Sequence, residues 1–169
     1  MCNMTKPNII FLDFDGVICN PDTCLAMGNT GHFSYLDPVS LNLVKRLCVE
    51  HNCKIVISSS WRNLYDKFSI KAILNAACPN LGQYVIENNE SWKTVSLSGV
   101  TLEEYGRGKE IDWWIKEHSS EFNNFVILDD DADMQPLLDN FVRTDHNIGF
   151  TFNDFEKAVE ILKRSPDEN

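Results

Sequence analysis

The chain has 169 residues, 43% of them hydrophobic, and a formal charge of −10 at neutral pH. That length suits one domain with a sizeable core. The acidic balance excludes a broad nonspecific grip on nucleic acid, which needs a basic footprint, but leaves room for a small local phosphate site. No apolar stretch approaches the roughly 18 residues of a membrane span, and the N-terminus lacks a signal-peptide pattern. A soluble, cytoplasmic chain is expected, with residues 1–169 as a single domain and its core over 8–162. None of the six cysteines forms a CxxC pair, so reduced thiols rather than disulfides or a zinc site are expected.

Ile9-Ile10-Phe11-Leu12 is a short apolar run without alternation, the pattern of a buried parallel strand. It ends in Asp13-Phe14-Asp15-Gly16, where the glycine permits a sharp turn. Residues 20–37 read as a loop carrying His32, Phe33 and Tyr35. Asp37 and Pro38 suit the cap and first residue of a helix whose stripe is Leu41, Val44, Leu47 and Cys48. A second strand, Lys54 to Ile57, ends in Ser58-Ser59-Ser60-Trp61-Arg62. Helical spacing resumes through Leu64, Phe68, Ile70, Ile73 and Leu74 and stops near Cys78-Pro79. Tyr84-Val85-Ile86 reads as a third strand, and 88–106 as a polar arm in which Trp92, Val95 and Leu97 form a short hairpin or pack down. A helix opens at Gly106-Arg107-Gly108-Lys109, with Ile111, Trp114 and Ile115 as its apolar stripe. Phe125 to Leu128 is a fourth strand, ending in Asp129-Asp130-Asp131-Ala132-Asp133. Val142 to Thr144 forms a short fifth, and Phe155 to Leu162 a closing helix. Strands alternating with helices predict an α/β fold: a Rossmann-like, doubly wound parallel sheet.

In such a sheet the carboxyl ends of the strands share one edge, where ligands bind. Asp13, Asp15, a serine of 58–60, Lys109 and Asp129 to Asp133 can therefore converge. Acids of this kind hold a hard divalent ion, while hydroxyls and a cation hold phosphate oxygens, an assortment suited to phosphoryl transfer. Taken singly, each segment has an ordinary reading: a strand-to-turn cap at Asp13 and Asp15, a helix N-cap at the serines, a solvated lysine at 109. Their joint order carries the functional reading. Asp131 reads as a solvated acid, and the four histidines show no ligand spacing.

FLDFDGV, KIVISSS, Lys109 and FVILDDDADM resemble, in order, the four motifs of the haloacid dehalogenase-like superfamily, mostly Mg²⁺-dependent phosphatases. SSSWR, RGKEI and ILDDDADM together are similar to the small phosphatase domain of multi-domain RNA-repair proteins. The resemblance implies Asp13 as nucleophile forming an aspartyl-phosphate, and Asp15 as general acid and base whose carbonyl also meets the metal. It implies Ser59, or Ser58, at the transferring phosphate, and Lys109, with Arg107 as the alternative, pairing with nucleophile and phosphate. Asp133 and either Asp129 or Asp130 complete the Mg²⁺ ligands. Gly16, Ser60 and Arg62 join the substrate contacts; alternatively Trp61 is core and Arg62 surface. Only about twenty residues follow the first motif, too few for a cap domain. The site would then be open enough for a polynucleotide 3′- or 5′-phosphate end or a phosphoprotein. Small nucleotides would fit if 20–37 and 88–106 fold over them. Tyr35 and Trp92 are candidates for stacking on a base, or core residues. Two rival expectations are a weakly catalytic binder of a phosphorylated ligand and a phosphotransferase to a nucleoside or sugar acceptor. Oligomeric state is not indicated.

Overall fold

The computed structural model describes residues 6–28, 35–95 and 106–164. His32, Phe33, Leu97 and most of the second half of the 88–106 arm lie outside the described residues.

Four strands, β1 (Asn8–Leu12), β2 (Cys53–Ile57), β3 (Phe125–Asp129) and β4 (Phe141–Arg143), form a wholly parallel sheet in the order β2-β1-β3-β4. The central strand is buried on both faces, which explains its unbroken apolar sequence. Ile10 and Leu12 point to the face covered by α2 (Pro38–Glu50), α3 (Lys67–Ala77) and α5 (Phe152–Lys163). Ile9 and Phe11 point to the other, where α4 (Arg107–His118) supplies Ile111 and Trp114. Phe11 meets the Trp114 ring edge-on at 5.2 Å.

The helix ends follow local chemistry. Asp37 caps α2 by accepting from the Val39 and Ser40 amides, with Pro38 in the first turn. Thr151 and Asp154 form a reciprocal capping box on α5, which begins three residues before the expected Phe155. Inside the expected 20–37 loop, Asn20 caps a short helix, α1 (Pro21–Ala26).

Two expectations need correcting. Tyr84-Val85-Ile86 is not a strand: a 3-10 turn, Leu81–Tyr84, follows Asn80 at φ 66°, and the chain then touches β2 in one parallel pairing, Val85 with Ile55. Trp92 to Thr94 extends this edge cover, with Thr94 N donating to Ile57 O at 3.0 Å, and Trp92 is buried among the core side chains. Leu64 and Phe68, placed in a buried stripe by spacing alone, are 78% and 79% exposed. The 3-10 turn Ser60–Asn63 and the Asp66 cap of α3 reset the helical phase, so that Ile70 and Leu74 face inward instead.

The five described cysteines, Cys19, Cys24, Cys48, Cys53 and Cys78, are buried free thiols. Burial pushes Cys19 and Cys53 up to about 12, which keeps them protonated and inert. Among the described residues, no helix is long and apolar enough to cross a membrane.

Leu12, fully buried and paired in register with Ile57 and Leu128, joins the core to the carboxyl edge of the sheet. Leu12→Ala should lower the unfolding free energy by about 2–5 kcal/mol in urea titrations. A loss under about 1 kcal/mol would contradict this packing.

Candidate active site

The sheet register puts the expected residues on one rim. Leu12 lies opposite both Ile57 and Leu128, so Asp13, Ser58 and Asp129 follow side by side. Backbone bonds carry the pairing past the strands: Asp13 N donates to Leu128 O at 3.0 Å, and Ser58 N to Leu12 O at 3.1 Å. Oxygens of Asp13, Asp129 and Asp130 all lie within 4.8 Å of one another. Asp13 and Asp129 are buried, and the Asp129 Oδ2 atom has no hydrogen-bond partner.

Burial raises the pKa of Asp13, against the pull of Arg107 and a hydrogen bond from Ser59. Burial and the neighbouring Asp13 carboxylate push Asp129 up to about 7. These are acids crowded in a poorly solvated place, a condition that a cation relieves. Three hard carboxylate oxygens, with one buried oxygen lacking a hydrogen bond, fit a small divalent ion. Asp133, the other expected ligand, lies outside this cluster. Asp133 is exposed and accepts from the Arg107 amide at 2.9 Å, holding the first turn of α4. A Cβ at Gly106 would stand 2.5 Å from Asp133 Oδ2, so the helix start needs a glycine there.

Set against Asp13 is the guanidinium of Arg107, the expected alternative to Lys109. Its Nη1 lies 3.2 Å from Asp13 Oδ1 and 3.5 Å from Asp129 Oδ2, and it also donates to Ser58 O. Burial opposes its charge, but the two carboxylates outweigh that and hold its pKa above the ordinary arginine value. Lys109 is exposed, two residues further along α4. Helical geometry explains the difference: positions 107 and 109 face different sides.

Ser59 is buried; it hydrogen-bonds Asp13, and its oxygen accepts from Trp61 N at 3.3 Å. The Ser58 hydroxyl is buried without a partner, whereas Ser60 is exposed. Asp15 lies beside the acid cluster and interacts electrostatically with Asp130. Its carboxylate accepts from Trp61 Nε1 at 3.1 and 3.2 Å, and burial raises its pKa. Gly16, at φ +74°, adopts a conformation that suits glycine, and a Cβ there would lie 2.3 Å from Asp130 Oδ2. Its carbonyl accepts from Thr144 Oγ1 at 2.7 Å.

Arg62, expected to reach substrate or lie at the surface, is only 4% exposed. It donates to Ser58 O and pairs with Glu110 on α4 at 2.5 Å. Sequence reading also missed three partners: Trp61 on Asp15, Glu110 on Arg62, and His146, whose Nδ1 lies 2.6 Å from Asp130 Oδ2. The spacing of Arg107 and Glu110, three apart on one helix, was the available signal for the second. Nothing in the spacing of His146 pointed to Asp130. Of the proposed stacking residues, Trp92 is buried and Tyr35 is 40% exposed.

Residues 9–155 match the family model described as the HAD domain in Swiss Army Knife RNA repair proteins. No curated protein and no solved structure matches the chain.

The crowded acids have a consequence for stability. In the folded, metal-free protein Asp129 ionises at about 7, against 3.8 ordinarily, so the unfolded chain loses its proton first. Its contribution is complete below about pH 4 and is lost as pH rises through about 7. Chelator-treated protein should therefore lose on the order of a few kcal/mol across that window. Asp129→Asn should flatten the decline, and Mg²⁺ should restore more stability at about pH 8 than at about pH 5. Urea unfolding at both pH values measures this. An unchanged slope in the variant would refute the assignment to Asp129.

Proposed function

The chain belongs to the family of HAD domains in Swiss Army Knife RNA repair proteins, and from that premise we propose that it is a Mg²⁺-dependent phosphomonoester hydrolase. Its substrate is the phosphorylated end of a polynucleotide, with a nucleotide as the smallest member of the class. One observation carries the reading: Asp13, Asp129 and Asp130 converge within 4.8 Å at the rim, with the Arg107 guanidinium 3.2 Å from Asp13. The short connection between β1 and α2, residues 13–37, fits an open site for a bulky end.

Asp13, Asp129 and Asp130 would hold Mg²⁺, with the Asp15 carbonyl as a further ligand by family resemblance. When bound, the ion neutralises phosphate oxygens and the crowded carboxylates. The Asp13 carboxylate attacks phosphorus, and the bond from phosphorus to the leaving oxygen breaks. Asp15, protonated more readily because burial raises its pKa, gives its proton to that oxygen. Trp61 holds the Asp15 carboxyl in place through its indole N–H. Asp15 then takes a proton from water as the water attacks the aspartyl-phosphate, releasing phosphate and restoring Asp13. Arg107 supplies the positive charge that the family resemblance first assigned to Lys109, and the Ser59 hydroxyl binds a phosphate oxygen. Arg62 and Glu110 support the Ser58 carbonyl from beneath.

Asp13→Asn should abolish Mg²⁺-dependent turnover of a general phosphomonoester, and chelator should do the same to the wild type. Turnover equal to wild type in the variant would reject Asp13 as nucleophile. Asp15→Asn should slow hydrolysis by about 10²–10⁴-fold for an alkyl phosphate, and by much less for a nitrophenyl phosphate, whose leaving group needs no proton. An equal loss on both substrates would remove the acid role.

A further inference from the structure

The row of site residues does not stop at the acid cluster. Asp129 lies opposite Arg143 in the pairing of β3 with β4. The rim therefore continues by one strand, from the carboxylates to an arginine. Arg143 is exposed, and its Nε donates to Asp130 O at 3.1 Å. That bond fixes the stem of the guanidinium and leaves its two terminal nitrogens without a partner among the described residues. Arg143 lines an open cleft of about 470 Å³ together with Asp130, Thr144, Asp145 and His146.

We propose that Arg143 and this cleft form a second phosphate subsite, which binds the phosphodiester of the nucleotide adjoining the terminal phosphate. The proposal rests on the phosphatase reading above and extends it from the reacting phosphate to the strand behind it.

The chemistry of the cleft matches that ligand. A guanidinium offers two parallel N–H donors to a phosphate, and remains charged at any working pH. The two acids in the lining are already engaged: Asp130 by His146 at 2.6 Å, and Asp145 by the Asn147 amide at 2.9 Å. Asp130 also belongs to the cluster that would hold the metal, so the subsite adjoins the reacting phosphate. One arginine in a chain of charge −10 gives a contact to one phosphate, not an extended track. A mononucleotide with a single phosphate cannot fill both places. Neither can a phosphorylated side chain of a protein, which brings no phosphodiester. A polynucleotide end of at least two nucleotides can.

The test compares nitrophenyl phosphate with 3′- and 5′-phosphorylated oligonucleotides of one to six nucleotides, all with Mg²⁺. In the wild type, kcat/KM should step up between one and two nucleotides in the preferred series, then level off. In Arg143→Ala the ratio of dinucleotide to nitrophenyl phosphate kcat/KM should fall about tenfold, the scale of one lost charge-assisted contact. The slope of log kcat/KM for the dinucleotide against log salt should shrink by about one phosphate contact. Arg143→Lys should keep the salt slope while losing part of the ratio, which separates a lost charge from a disturbed fold. Turnover without a step between one and two nucleotides would overturn the subsite and leave the phosphatase reading standing. So would an equal loss on both substrates in Arg143→Ala, or a phosphopeptide hydrolysed as well as the dinucleotide. No turnover of any substrate would overturn the phosphatase reading itself.

Discussion

The site depends on the mutual repulsion of three carboxylates and on the Arg107 guanidinium set against two of them. Asp13 and Asp129 are brought together by strand register, each the next residue beyond a buried apolar strand body. Burial strengthens their repulsion because little water screens it. Arg107 spans both, and its own position rests on the start of α4, where Asp133 takes the Arg107 amide and Gly106 permits close approach. The end of β3 and the loop after it thus contribute two acids to the charge cluster and a third that anchors the opposing cation. Exchanging the parts of Asp130 and Asp133 would undo both arrangements.

Beneath this cluster runs a second ion pair, of a different kind. Arg62 and Glu110 are almost wholly enclosed, and their contact joins the turn after β2 to α4. Burial lowers the pKa of Arg62 while Glu110 opposes the shift. A pair of this type contributes little net stability over apolar residues of equal volume, but removing one partner strands a charge. Its structural value is therefore in placement. Arg62 and Arg107 both donate to the carbonyl of Ser58, and the next residue carries the hydroxyl that bonds Asp13.

How much of this was legible depended on whether a feature is local. The apolar bodies of β1, β2 and β3 and the Asp37-Pro38 cap are written in neighbouring residues, and they appear where the pattern put them. The gathering of Asp13, Ser59, Asp129 and Asp130 followed from one topological rule about parallel strands. Side-chain direction was not legible. Arg62 turns inward and Trp61 packs on the core with its indole N–H on Asp15, in a 3-10 turn that follows the serines. Choosing between Arg107 and Lys109 required the phase of α4. His146 reaches Asp130 only through a turn, 145–149, closed by backbone bonds from Ile148 and Gly149 to Asp145. The Val85 pairing looked like a full strand because one good contact and one strand share the same apolar triplet.

The bond from Trp61 to Asp15 also gives the molecule an internal optical probe. The chain has four tryptophans; Trp92 and Trp114 are enclosed in the core, and Trp113 lies partly in solvent on α4. The indole of Trp61 alone among them holds a carboxylate of the acid rim. Changes in the charge or position of that carboxylate should alter the emission of one identifiable fluorophore, so occupancy of the site can be followed by light without attaching a dye.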